Sequence, residues 1–126
     1  MKTPVEWMVG SLRALRHDLP ERGERVLVSL GQVPFAPPNV SGWPAGHAWL
    51  TSASAQVRLD LAGWLTARGD LKAVENTPAA QRLSAATHLL GIPTLTARTV
   101  AAANAHATHP QRLVTTLLLS PEYLVH

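Results

Sequence analysis

The stretch Gln32-Val33-Pro34-Phe35-Ala36-Pro37-Pro38-Asn39-Val40-Ser41-Gly42-Trp43-Pro44-Ala45-Gly46 decides how the rest of the chain is read. It holds four prolines and two glycines, so four backbone donors are missing and φ is fixed at those positions. Neither a helix nor a central strand runs through such a segment. Polyproline-like pieces joined by turns are expected instead. Yet Phe35, Val40, Trp43 and Trp49 carry far more apolar area than a solvated linker needs. Loops of this length inside a small domain are uncommon and often functional when ordered. The segment 32–49 is therefore expected to be an ordered loop folded back on helices, with Phe35 and Trp43 buried.

On either side the apolar spacing is helical, and strand signals are sparse. Thr3-Pro4-Val5-Glu6 is a compact helix start: Thr3 caps, Pro4 suits the first helical position, and Glu6 completes a capping box. Val5, Met8, Leu12 and Leu15 then recur at three- and four-residue steps, so one face stays apolar to about Arg16. Pro20 and Gly23 interrupt the pattern. A second short helix is expected from about Glu21 to Leu30, closing at Gly31.

Beyond the loop, a third helix should run from Thr51 or Ser52 to Arg68, with Val57, Leu61, Trp64 and Leu65 on one stripe and Leu59 and Ala62 beside it. Residues 69–78 read as a polar turn. Residues 78–90 read as a fourth helix, capped by a left-handed Gly91. Ile92-Pro93 breaks the chain, Thr94 or Thr96 caps an Ala-rich fifth helix, and Pro110 opens a sixth with Leu113, Val114, Leu117 and Leu118 inward. Ser120-Pro121 restarts one more short turn. The expected fold is all-α: an orthogonal bundle of five or six short helices wrapped by the Pro/Trp loop.

Composition narrows the function classes. With 126 residues the chain has room for one domain, taken as residues 1–126, and one core. Hydrophobic residues make up 46% and charged residues 15%, which places it with globular chains. It has no cysteine, which excludes disulfides, thiolate metal sites and cysteine nucleophiles. No apolar run approaches the ~20 residues of a membrane helix, and no signal-peptide pattern opens the chain. The expectation is a chain without a membrane span or an export signal of its own, in a compartment that the composition leaves open. A net charge of +3 is weak for nucleic acid, whose phosphates call for basic residues gathered on one face. Only Arg13, Arg16, Arg22 and Arg25 come near clustering, and Asp18, Glu21 and Glu24 lie among them.

Several of these residues carry a resemblance. Lys2-Thr3-Pro4-Val5-Glu6-Trp7, Gly31-Gln32 with Pro34-Phe35, Pro37-Pro38-Asn39-Val40, and Gly42-Trp43-Pro44 with Gly46 and Trp49 resemble the C-terminal part of the bacterial domain-of-unknown-function family 1800. Leu118-Leu119-Ser120-Pro121-Glu122-Tyr123 is similar to that family's ending. The resemblance implies that the chain corresponds to the C-terminal portion of a longer architecture, exported when full length and often encoded beside a sulfatase-like partner of unknown role. It carries over no activity and no catalytic residue. A portion cut from a longer protein would expose apolar surface that finds a partner, so the expected partners are a second copy or the missing N-terminal portion.

For chemistry the sequence offers little. His106 and His109 are three apart, a spacing that would suit a metal pair on one helix, but Pro110 pushes His109 out of helical geometry. They are weak metal candidates, and no cofactor is expected. Ser41 with His47 is a conceivable dyad without a nucleophile elbow to support it. Asp18, Glu21 and Glu24 read as surface pairs with Arg22 and Arg25. The sharper candidate is a ligand platform in the loop: Trp43, Trp49 and Phe35 with Gln32, Asn39 and His47 at its polar edge. Against it stands a packing reading, in which the aromatics plug a small core and Gln32 and Asn39 satisfy backbone groups freed by the prolines. Packing is favoured for these and for Trp7 and Trp64. The function read from sequence is therefore unknown in its detail: a non-catalytic structural or protein-interaction module. The alternatives are a glycan- or peptide-binding or hydrolytic domain using the loop, and a small basic nucleic-acid binder using Arg13, Arg16, Arg22 and Arg25.

Overall fold

A computed structural model describes residues 2–21, 23–30, 32 and 52–125, with the backbone alone for Glu24. The segment 33–51, and with it most of the Pro/Trp loop, lies outside the described residues. Among the described residues every regular element is helical: α1 (Pro4–Ala14), α2 (Gly23–Ser29), α3 (Ser52–Arg68), α4 (Lys72–Glu75), a 3₁₀ turn (Ala79–Gln81), α5 (Arg82–Leu90), α6 (Ala97–Asn104), α7 (Pro110–Leu118) and α8 (Pro121–Val125). The six helices expected from sequence are α1, α2, α3, α5, α6 and α7.

Helix α1 begins as its sequence dictates. The Thr3 hydroxyl accepts from the Glu6 N–H at 3.3 Å, and the Thr3 N–H donates to Glu6 Oε2 at 2.7 Å. Pro4 has no N–H to satisfy. The N–H of Val5 donates to Gln32 Oε1 at 3.0 Å, so a side chain 27 residues away completes the first turn. The helix ends in a Schellman motif: His17 N–H donates to Leu12 O and Arg16 N–H to Arg13 O, with Arg16 at φ 51°. Helix α5 ends the same way at Gly91, φ 70°, with Ile92 N–H on Thr87 O and Gly91 N–H on His88 O. One left-handed position thus carries glycine and the other an arginine.

The core is organised around α7, whose Leu113, Val114, Leu117 and Leu118 are fully buried. Helix α3 packs along it, with α5 and α6 against its other sides. Ala103 of α6 is fully buried, a small side chain on the Ala-rich surface. Trp7 closes the core from α1, and its indole N–H donates to Leu118 O at 3.0 Å. Each fully buried leucine contributes roughly 2 kcal/mol of transfer free energy.

The stretch 69–78 differs from the expected polar turn. It contains α4, because Leu71 and Val74 reach the core and the one-turn helix lets both do so. Arg82 ties this segment down, donating to the carbonyls of Thr77, Ala107 and Glu75. The fourth helix starts later than expected, with the 3₁₀ turn ahead of Arg82. Leu59 is exposed, and its place on the buried stripe of α3 is taken by Ser54 and Arg58. Gly69 allows α3 to end directly on α1: the Asp70 N–H donates to Leu15 O at 2.7 Å, and a Cβ at Gly69 would sit 2.8 Å from Leu15 Cβ.

The two ends of the described chain meet. The Lys2 N–H donates to Leu124 O at 2.7 Å, its ammonium donates to Tyr123 O, and that ammonium lies 3.4 Å from the Tyr123 ring centroid. Ser120 Oγ caps α8 by accepting from the Tyr123 N–H at 3.3 Å.

Candidate functional site

An apolar concavity lies between α3 and the segment joining α1 to α2. Val57, Asp60, Leu61 and Trp64 of α3 form one wall; His17, Leu19, Pro20, Glu21 and Val26 form the other. Its volume is about 750 Å³, within the range of small-ligand and side-chain pockets. The Schellman motif creates the second wall, because the left-handed turn at Arg16 swings the chain from α1 back across α3.

Trp64 is the aromatic wall of this cleft and is held from two sides. The His17 ring meets it edge-on, with centroids 5.0 Å apart and planes at 74°. The Arg68 guanidinium, one turn along α3, lies 4.8 Å from the indole centroid. His17 is oriented in turn by its Nδ1, which is 2.7 Å from the Asp18 carbonyl. A carbonyl only accepts, so Nδ1 carries a proton and donates it. Sequence reasoning placed Trp64 in the core; it is half-buried, because the inward direction of α3 is set by Leu61, Ala62 and Leu65 and Trp64 falls at the edge of that stripe.

The residues singled out from sequence are distributed otherwise. Of the loop platform only Gln32 is described. It is buried, and its side-chain oxygen accepts from the Val5 N–H at the first turn of α1. Phe35, Asn39, Trp43, His47, Trp49 and Ser41 lie outside the described residues. His109 is extended (φ −125°, ψ 90°) at the position before α7, as Pro110 requires, while His106 lies in the turn after α6. The two do not share a helix face, and among the described residues no group of three metal-ligating side chains comes together. Asp18 and Glu21 are exposed. Arg13, Arg16 and Arg25 are exposed as well, and Arg22 is outside the described residues.

Two carboxylates with strongly engaged oxygens cap helices. Glu6 completes the box at α1, and the Thr3 N–H holds its carboxyl below the usual range. Glu122 Oε1 accepts from the Thr96 N–H and the Thr96 hydroxyl, each at 2.8 Å, and Oε2 accepts from the Thr99 hydroxyl at 2.9 Å. These bonds, led by the Thr96 N–H, pull the Glu122 carboxyl down to about 2. It sits at the start of α6, where the helix dipole favours negative charge. The depressed pKa values of both acids thus follow from stabilising helix ends.

Sequence reasoning missed Arg58, buried on α3 with its Nη1 donating to Ser54 Oγ at 3.2 Å and its guanidinium 5.9 Å from the Trp7 ring. Burial lowers its pKa. The signal was present: Ser54, Arg58, Leu61 and Leu65 fall on one helical stripe. It also missed a hollow of about 330 Å³ lined by Gly63, Thr66, His106, Gln111, Arg112, Thr115 and Thr116. Thr66 donates to Gly63 O, so in the 2.9 Å pair between Thr66 and Thr115 it is Thr115 that donates. Thr116 donates to Arg112 O. The three hydroxyl protons are thus engaged inside the fold.

A family model described as Protein of unknown function (DUF1800) matches residues 1–125. No curated protein and no solved structure matches the chain.

Proposed function

The chain belongs to the DUF1800 family, and from that premise we propose that it is a non-catalytic structural and protein-interaction module, one helical domain over residues 1–126 that packs on a second copy or on the remainder of a longer protein. The observation that carries this reading is the Trp64 cleft: a preformed apolar concavity whose aromatic wall is braced by His17 and Arg68. Rigid aromatic walls flanked by aliphatic side chains are what protein interfaces use as anchors. Leu19, at the cleft rim, is 62% exposed, a large side chain left in water by the isolated chain. The engaged state of Glu6 and Glu122 on helix ends supports the same reading, because both serve the scaffold.

Size-exclusion chromatography with light scattering tests it. The expected mass rises with concentration above the 13.5 kDa of one chain, and replacing Trp64 and Leu19 by serine returns it to that value. A monomer at every concentration, for both proteins, counts against self-association and leaves the remainder of a longer family protein as the partner to be tried in trans.

A further inference from the structure

We propose that the Trp64 cleft receives a partner segment in which a Lys or Arg stands beside apolar side chains. The proposal rests on the interaction-module reading and adds the chemistry of the partner. Its basis is the distribution of charge around the cleft. The chain as a whole is basic, with 11 Lys and Arg against 8 Asp and Glu. The described residues lining the cleft reverse that balance: Asp60 and Glu21 stand on opposite walls, and the nearby cation, Arg68, is engaged with the Trp64 ring and is not part of the lining. The rest of the lining is mostly apolar: Leu19, Pro20, Val26, Val57, Leu61 and Trp64, with His17.

This arrangement matches a side chain with an apolar stem and a cationic end. The methylenes of Lys or Arg lie along Leu19 and Pro20 while the charged head reaches a carboxylate, and neighbouring aliphatic residues fill the floor against Val57 and Leu61. An acidic segment meets like charge on both walls, which disfavours it. Asp60 is already oriented, because its Oδ1 accepts from Gln56 Nε2 at 3.0 Å one turn earlier on α3. Trp64 is fixed by its two neighbours, so little side-chain freedom remains to be lost on binding.

The test uses the whole chain labelled with ¹⁵N. Its four tryptophans give four indole N–H signals, and Trp64→Phe identifies the one from the cleft. Two capped tetrapeptides serve as probes, one with two leucines between lysines and one with the same leucines between glutamates. The lysine peptide is expected to move the Trp64 signal saturably, and added salt to weaken it. The variant Asp60→Asn/Glu21→Gln is expected to reduce its affinity by about fivefold, the scale of two exposed charge pairs. A thermal melt matching wild type confirms that the variant is folded. Equal response to both peptides, or unchanged affinity in the neutralised variant, overturns the charge selectivity. A Trp64 signal that stays still overturns the site. Should shifts saturate elsewhere on the molecule, the cleft is refuted while the interaction-module reading stands; light scattering decides that reading separately.

Discussion

The Glu122 carboxylate lies across the N-terminus of α6, receiving both the N–H and the hydroxyl of Thr96 at 2.8 Å. The pair is 26 residues apart, so it joins the last helix of the chain to the turn after Ile92-Pro93. Glu122→Gln keeps an acceptor and removes the charge, and is expected to lower stability at neutral pH by about 1 kcal/mol. The folded pKa is depressed from 4.5 to about 2, so the stabilisation is complete above the ordinary carboxylate range and is lost as pH falls through about 2. In urea titrations the gap between the two proteins should therefore narrow as pH falls below 4.5. A gap that is constant with pH argues against the charge.

Arg16 and Gly91 occupy equivalent left-handed positions at the ends of α1 and α5. Glycine has no Cβ penalty there, whereas arginine does. Arg16→Gly should raise stability by up to about 1 kcal/mol, and Gly91→Ala should lower it by a similar amount. Thermal unfolding of the two variants side by side checks both signs.

Two glycines near α3 should respond in opposite directions to alanine. At Gly69 the new Cβ would stand 2.8 Å from Leu15 Cβ and 2.9 Å from Leu65 O, neither of which moves freely. A loss of about 1–3 kcal/mol is expected. At Gly63, inside α3 and exposed, nothing lies within 4 Å, and alanine should add about 0.5–1 kcal/mol through helix propensity. Chemical denaturation midpoints give the ordering: Gly69→Ala below wild type below Gly63→Ala.

Gln32→Leu removes the acceptor of the Val5 N–H while keeping bulk. Leaving that half-buried donor without its partner should cost about 1–3 kcal/mol. Amide hydrogen exchange at Val5 should accelerate more than at Leu12, since the defect is local to the first turn of α1. Equal protection at Val5 in both proteins would show that the bond contributes little.

Tyr123 is the chain's sole tyrosine, so absorbance at 295 nm reports its ionisation directly. Burial raises its pKa above 10.0, against a smaller opposing effect from the hydrogen bond with Ser11. A raised folded value means that stability is full below the unfolded pKa and falls as pH climbs through the folded one. The phenol should titrate later in the native protein than in urea; coincident curves would contradict its burial.

Local signals were legible without the structure. The Thr3 box, the Gly91 cap, the opening at Pro110 and the Ser120 restart each rest on residues within a few positions, and each is found where its chemistry requires. What escaped was set by partners far along the chain. Leu71 and Val74 look like apolar residues in a polar turn until the core they reach is known. Trp64 follows the helical period as well as Leu61 does, and only the direction of α7 and the 17–21 segment decides which is covered. The cleft is invisible for the same reason, since one wall is α3 and the other is the segment after α1, brought across it by a turn at Arg16. Of the loop platform, the described part is Gln32, whose side-chain oxygen accepts from the Val5 N–H of α1, a partner 27 residues away that no local signal indicates.

The bond from Lys2 to Leu124 couples two helices that are far apart in sequence. Residue 2 leads straight into the Thr3 box that opens α1, and residue 124 belongs to α8. Fraying of α8 therefore also loosens the start of α1, so these two helices should open as one unit.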